Sequence, residues 1–165
     1  RAAHPQSFLS FPMFIGRHFH SLDAKGRVAI PHKFRGDLGG AGGGRVIVTV
    51  SPSDRFNYLD VYPAEEWEAT IRKILATPIT GEDAAEIREA LLANYIHPAQ
   101  EQTLDTQGRI LVTPDQRQAA RLEKDVVFTG DMQRFRIWSL EEWRRYDQTA
   151  AKDKAKVLRI PGLWF

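Results

Sequence analysis

Short apolar runs of strand length are spread along the chain between polar turns, and they come in an order that occurs twice. Period-2 stretches at Arg17–Leu22 and Arg27–Ile30 flank Asp23-Ala24-Lys25-Gly26, the pattern of two strands joined by a tight turn. Compact β-branched runs follow at Val46–Thr49 and Val126–Thr129. Helical periodicity then takes over. Pro63 suits a first helical position, acids fill the first turn after it, and Trp67, Ile71, Ile74 and Leu75 recur on one face. Later, Ser139 with Glu142 forms a capping-box pattern ahead of Trp143 and Tyr146.

Aligning the chain with itself makes the repeat explicit. Ser21-Leu22-Asp23-Ala24-Lys25-Gly26-Arg27-Val28 matches Thr103-Leu104-Asp105-Thr106-Gln107-Gly108-Arg109-Ile110. A proline follows each block, Pro31 or Pro114, and then an arginine, Arg35 or Arg117. Val61-Tyr62-Pro63-Ala64-Glu65-Glu66-Trp67 answers Ile137-Trp138-Ser139-Leu140-Glu141-Glu142-Trp143. The first copy carries a Gly-rich insert, Gly39 to Gly44, which reads as a flexible surface loop; no Gly-Lys-Ser/Thr ending makes it a phosphate cradle. Each copy is expected to run strand, tight turn, strand, short helical turn, two strands and a closing helix.

A further amphipathic helix is expected between the copies, from about Gly81 to Tyr95, with Thr80 and Asp83 as its cap pair and Ile87, Leu91 and Tyr95 as its buried stripe. The divisions that result are an N-terminal extension (1–12), a first module (13–77), a connecting helix and linker (78–98), a second module (99–147) and a tail (148–165). Short strands around a barrel-like core with peripheral helices make the fold α+β. Each half is small for independent stability, so burial between halves or between subunits is expected.

Composition narrows the possibilities. With 42% hydrophobic and 27% charged residues the chain is expected to be globular rather than disordered. The absence of cysteine excludes disulfides, thiolate metal sites and cysteine nucleophiles, and fits a reducing cytoplasm. Apolar stretches fall far short of the ~20 residues of a membrane helix. Residues Arg1 to Pro12 lack the layout of a signal peptide; Met13 would serve as a natural start, and the sequence leaves open whether the residues before it are native. The net charge of +2 permits a polyanion partner without demanding one, but the charge is local. Arg17, Lys25, Arg27, Lys33 and Arg35 face a single acid, Asp23, between Phe14 and Arg35, whereas residues 60–89 are rich in acids.

The Asp-x-x-Gly-Arg block has a local mechanism. Asp at the first turn position accepts bonds from the turn amides, and Gly at the fourth takes the left-handed conformation. Asp23, Gly26, Asp105 and Gly108 are therefore turn-forming, and two tips are expected, one carrying Lys25 with Arg27 and the other Gln107 with Arg109. Two uses remain open at this point. The tips enter a DNA major groove, where Arg reads guanine, Gln reads adenine and Lys meets phosphate, or Asp and Arg merely pair across their own turns.

Met13-Phe14 with Gly16, Asp23 to Pro31, Tyr62-Pro63 to Trp67, Asp105 to Pro114 and Ile137-Trp138 to Trp143 resemble the MraZ family in order and spacing, over roughly Met13 to Tyr146. The resemblance implies two AbrB-like, SpoVT-type swapped-hairpin modules in one chain and a ring-shaped homo-oligomer. It also implies a regulator, associated with the nucleoid, that binds direct repeats in double-stranded DNA upstream of the division and cell-wall gene cluster, its own gene included. The family's Asp-x-x-x-Arg element falls on Asp23 with Arg27 and on Asp105 with Arg109. DNA contact is thereby carried onto Arg27 and Arg109 first and Lys25 and Gln107 second. Tyr95-Ile96-His97-Pro98-Ala99 departs from the family's aromatic, Gly-containing segment, and Pro98 restricts the linker.

Rival chemistry is weaker. His18 and His20 share a strand face, but neither an i,i+4 pair nor a carboxylate completes a metal site, so no metal and no cofactor is expected. Glu65-Glu66 and Glu141-Glu142 suit the positive ends of helices rather than a hydrolase. Trp67 and Trp143, at helical spacing, are read as core or interface residues rather than base-stacking platforms. The apolar tail Val157 to Phe165 either docks on a subunit or frays. No nucleophile elbow appears, so an enzyme is not expected. The alternative to a DNA regulator is an antitoxin-like protein–protein interaction module.

Overall fold

The computed structural model describes residues 12–38 and 44–163. The expectations placed on residues 1–11, on the Gly39–Gly43 part of the insert and on the last two residues of the tail lie outside them. Each half follows the expected order. The first contains β1 (Arg17–Ser21), β2 (Arg27–Ala29), α1 (His32–Asp37), β3 (Arg45–Val50), β4 (Leu59–Pro63) and α2 (Ala64–Ala76). After α3 (Ala84–Leu91) and a π-helical turn (Leu92–Ile96) the second contains β5 (Gln100–Thr103), β6 (Arg109–Leu111), α4 (Pro114–Ala119), β7 (Asp125–Asp131), β8 (Arg134–Ser139) and α5 (Leu140–Lys152). A short α6 (Lys154–Val157) follows.

The strands pair across the repeat. An antiparallel six-stranded sheet runs β1-β7-β8-β4-β3-β5, and β2 pairs with β6 in a separate two-stranded ribbon. Replacing each strand by its counterpart reverses the order onto itself, so an approximate twofold axis passes between β4 and β8. The expectation of a self-paired hairpin is thus corrected. The turn closes through Asp23 N–H to Arg27 O at 2.9 Å, but β1 continues onto β7 and β2 onto β6. The barrel-like core is corrected too: β1 and β5 are the two edges of an open sheet. After the Asp23 and Asp105 turns the chain leaves each edge for the ribbon, and among the described residues no ladder joins β1 to β5.

Strand periodicity sorts the side chains of the four central strands, β7, β8, β4 and β3, onto two buried faces. On one, Val46, Val48, Leu59, Val61, Val126, Phe128, Phe135 and Ile137 pack with Val28 and Ile110 of the ribbon and Phe34 of α1. On the other, Ile47 and Tyr62 meet Trp67 of α2 and Tyr95, while Val127, Trp138 and Tyr58 meet Trp143 and Tyr146 of α5. Helices on that second face explain why β4 is buried at every position. Burying each such large apolar side chain stabilises the fold by ~1.5 to 3 kcal/mol.

The helices depart from expectation in detail. Pro63 is the N-cap of α2 rather than its first residue, and Leu75 is 80% exposed. The connecting helix begins at Ala84 without a side-chain cap bond from Asp83, and its stripe is incomplete: Tyr95 is buried and Ile87 half exposed. Among the described residues, packing from α2 and the sheet reaches Leu91, Tyr95 and Ile96 of this segment. Ser139 Oγ accepts from Glu142 N–H at 3.1 Å, but the Glu142 carboxylate turns to Asn57 and Arg145, so the box is half made. Thr113 and Gln116 form a complete capping box at α4, with Pro114 opening the helix. The tail from Lys154 to Leu163 lies exposed rather than docked on this chain.

Candidate functional site

The two Asp-x-x-Gly-Arg turns are near copies. Asp23 Oδ1 accepts from the backbone N–H groups of Lys25 and Arg27, each at 2.9 Å, and Oδ2 accepts from Arg27 Nε at 2.7 Å. Asp105 repeats this with Gln107 N–H and Arg109 N–H, both at 2.9 Å, and Arg109 Nε at 2.8 Å. The backbone bond from Arg27, then its side chain, holds the Asp23 carboxyl below the usual carboxylate range, and Arg109 does the same for Asp105. Gly26 and Gly108 take φ of +80° and +71°, in the left-handed region that glycine enters without a steric penalty.

The Asp–Arg pairing considered as the bland alternative is therefore real, but it engages one nitrogen of each guanidinium. Among the described residues the Nη groups of Arg27 and Arg109 have no hydrogen-bond acceptor. The pairing fixes each Arg against its turn and leaves the forked end, where bidentate recognition is made, free.

The structure also brings the two arginines together. In the ribbon Arg27 stands opposite Leu111 and Ala29 opposite Arg109. Val28 and Ile110 point into the core, so Arg27, Ala29, Arg109 and Leu111 share the outer face. Arg27 and Arg109 are diagonal neighbours across the ribbon, a relation that sets residues ~7 to 8 Å apart. The expected pair of separate tips is thus one ribbon face with a turn at each end, because β2 and β6 pair with each other rather than with β1 and β5. Lys25 and Gln107 are exposed at these opposite ends.

Two further arginines approach the turns, and they cross between the halves. A Cβ built on Gly108 would come within 2.6 Å of Arg35 Nε, and one on Gly26 would lie 2.8 Å from Val112 O and 3.3 Å from Arg117 Cζ. Ile30 N–H donates to Gly108 O at 2.9 Å and Val112 N–H to Gly26 O at 2.8 Å. The repeat exposes Arg35 and Arg117 in the sequence as recurring positions; their placement against the opposite turn is not readable there.

A buried polar network also lies beyond sequence reasoning. Asp60, 1% exposed, is faced by Arg134 and Arg136 at 3.4 and 3.3 Å, and Tyr95 OH donates to it at 3.3 Å. Burial pushes the Asp60 carboxyl up and the two guanidinium groups pull it back. Tyr62 and Tyr95 share a hydroxyl bond of 2.6 Å, and Thr49 Oγ1 donates to Tyr95 O. Together these bonds hold the end of the connecting segment on the sheet. His18 and His20 pack edge-on to Phe34 and Phe128. Among the described residues no three His, Cys, Asp or Glu side chains group as metal ligands, and no helix is long and apolar enough to cross a membrane.

A duplicated α+β chain whose halves exchange strands and expose a paired-arginine ribbon is a class to which known sequences can be compared. The chain matches the family described as "MraZ protein, putative antitoxin-like" over residues 13–89 and 95–159, and it belongs to the MraZ family. A relative from Thermoanaerobacter pseudethanolicus, named transcriptional regulator MraZ, is 42% identical over 134 residues, 81% of this chain and 86% of the relative. Relatives of the same name from Marinobacter nauticus and Heliobacterium modesticaldum are 38% and 39% identical, over 86% and 88% of this chain and 91% and 94% of their own lengths. The family is one of transcriptional regulators rather than enzymes.

Proposed function

We propose that this chain is a sequence-specific DNA-binding transcriptional regulator that lays the β2–β6 ribbon face into a major groove. The observation that carries the reading is the diagonal placement of Arg27 and Arg109 on one exposed face, each tethered through Nε with its fork free. A two-stranded ribbon fits the major groove, and Arg binds guanine edges in bidentate fashion. In this reading Arg27 and Arg109 contact bases, Lys25 contacts phosphate, Gln107 reads an adjacent adenine, and Asp23, Gly26, Asp105 and Gly108 shape the turns.

The finer features belong to the same proposal. The two halves, 13–77 and 99–147, are AbrB-like modules of the SpoVT swapped-hairpin type, a reading supported by the exchange of β1 and β5 between them. Exposed Leu75, Ile87 and Leu92 supply apolar surface for assembly into a ring of identical subunits. A ring would present several ribbons at fixed spacing, so direct repeats upstream of the division and cell-wall gene cluster, including the regulator's own gene, would gain affinity through effective concentration. Its place would be the cytoplasm, on the nucleoid.

The test is fluorescence anisotropy of the full chain with the duplex upstream of its own gene and with a shuffled duplex, at two salt concentrations. Tighter binding to the native duplex at both salts is expected. Equal binding to both, erased by salt, would leave only a basic scaffold. That outcome would favour an antitoxin-like protein–protein module, for which the edge of β1 that has no partner strand among the described residues, with exposed Phe19, Met13 and Ile15 nearby, is a candidate surface.

A further inference from the structure

We infer that Arg35 and Arg117 are positioning residues that brace the DNA-reading turns across the repeat, each holding the turn of the other half. The inference rests on the ribbon's being the DNA-reading face. Arg35 belongs to α1, yet its side chain lies against Gly108; Arg117 belongs to α4, yet its guanidinium lies against Gly26. Each turn is thus built from two parts of the chain. Its own half supplies the Asp–Arg tether, and the opposite half supplies a strand-end N–H, from Ile30 or Val112, together with a guanidinium wall.

The two braces are unequal. Arg35 Nε donates to Ile30 O at 2.8 Å, which locks the guanidinium across the end of β2, the strand whose following N–H bonds Gly108 O. Arg117 Nε is buried and has no partner among the described residues. A planar donor fixed by a backbone carbonyl holds its position at little further entropic cost, whereas an unsatisfied buried donor is a weak point. The second turn, with Gln107 and Arg109, is therefore held more firmly than the first. Loss of Arg35 removes more than loss of Arg117.

The brace acts through geometry, and this separates it from direct phosphate contact. A residue that neutralises a phosphate contributes about one unit to the slope of log affinity against log salt, whereas one that only orients a base-reading neighbour contributes none. Lysine keeps the charge but lacks the planar Nε donor that Ile30 O accepts, so it replaces a phosphate contact and not a brace.

The experiment uses the full chain with Arg35→Ala, Arg35→Lys and Arg117→Ala. Specific and shuffled duplexes are titrated across a salt series, and amide hydrogen exchange is measured without DNA. The expected result for Arg35→Ala is roughly a tenfold loss of specific affinity, the scale of one charge-assisted hydrogen bond, with an unchanged salt slope. The Gln107 and Gly108 amides exchange faster while Lys25 and Gly26 keep their protection. Arg35→Lys behaves like Arg35→Ala, and Arg117→Ala has the smaller effect, seen at Lys25 and Gly26.

A slope lower by about one unit, restored by Arg35→Lys, would make Arg35 a phosphate contact and overturn the brace. Exchange that changes only within α1 would overturn it as well. Should Arg35→Ala not fold, Arg35→Lys carries both readouts. A wild-type chain that fails to distinguish the duplexes would sink the DNA reading, and the exchange pattern would still decide the brace.

Discussion

Arg27 Nε donates to Asp23 Oδ2 at 2.7 Å, and Arg109 Nε repeats the bond with Asp105 at 2.8 Å. With side chains 35% and 25% exposed, both arginines are tethered at the neck and open at the fork. An exposed ion pair of this kind adds little to stability, so its value lies in restricting where the fork points.

Arg27→Ala should weaken binding to the specific duplex by ~1 to 3 kcal/mol, the worth of a bidentate base contact, and relax discrimination at that base. Size-exclusion profile and melting temperature should stay close to wild type, since Arg27 lies on the outer ribbon face. Aggregation or unfolding of the variant would instead assign Arg27 a structural role.

Lys25→Ala should act differently, because Lys25 is exposed at the turn and, among the described residues, is engaged through its backbone N–H, by Asp23. Specific and shuffled duplexes should lose affinity about equally, and the salt slope should fall by roughly one unit. Unchanged affinity in anisotropy titrations would remove Lys25 from the contact surface.

Gly108→Ala should destabilise the fold by more than the ~1 kcal/mol that a left-handed alanine costs. The added methyl meets Arg35 as well as an unfavourable φ of +71°. A urea melt with midpoint and slope compared to wild type measures the loss, and a neutral result would mean that Arg35 swings away freely.

Acid should loosen both turns. The Asp23 and Asp105 carboxyls are held below their ordinary range by the N–H groups of Arg27 and Arg109, so their folded values are depressed. The stabilisation is then fully present above the unfolded value, roughly 3.9, and is lost as pH falls through the folded values. The amide shifts of Lys25, Arg27, Gln107 and Arg109 followed by NMR should be flat above about pH 4 and titrate together below it. Titration near neutrality would contradict the tether.

Much of this molecule was legible in the residues themselves. The order of elements, the duplication and both turns are written in local patterns: a period of two for strands, 3.6 for helices, and an Asp whose carboxylate satisfies amides two and four residues on. These are contacts of short range, and the residues that make them are neighbours in the chain. Even so, patterning overstated the helices where nothing covered them, as exposed Leu75 and Ile87 attest, because an apolar stripe records surface that can be buried and not what buries it.

Tertiary structure alone decided the partners. Matching local signals in the two halves leave each strand with similar candidates, and the packing of the chain selects β1 on β7, β5 on β3 and β2 on β6. That exchange opens the sheet, sets Arg27 diagonal to Arg109, and carries Arg35 to Gly108 and Arg117 to Gly26. The residue types were determined by the sequence. Their convergence on one face depends on contacts about eighty residues apart, which no local pattern encodes.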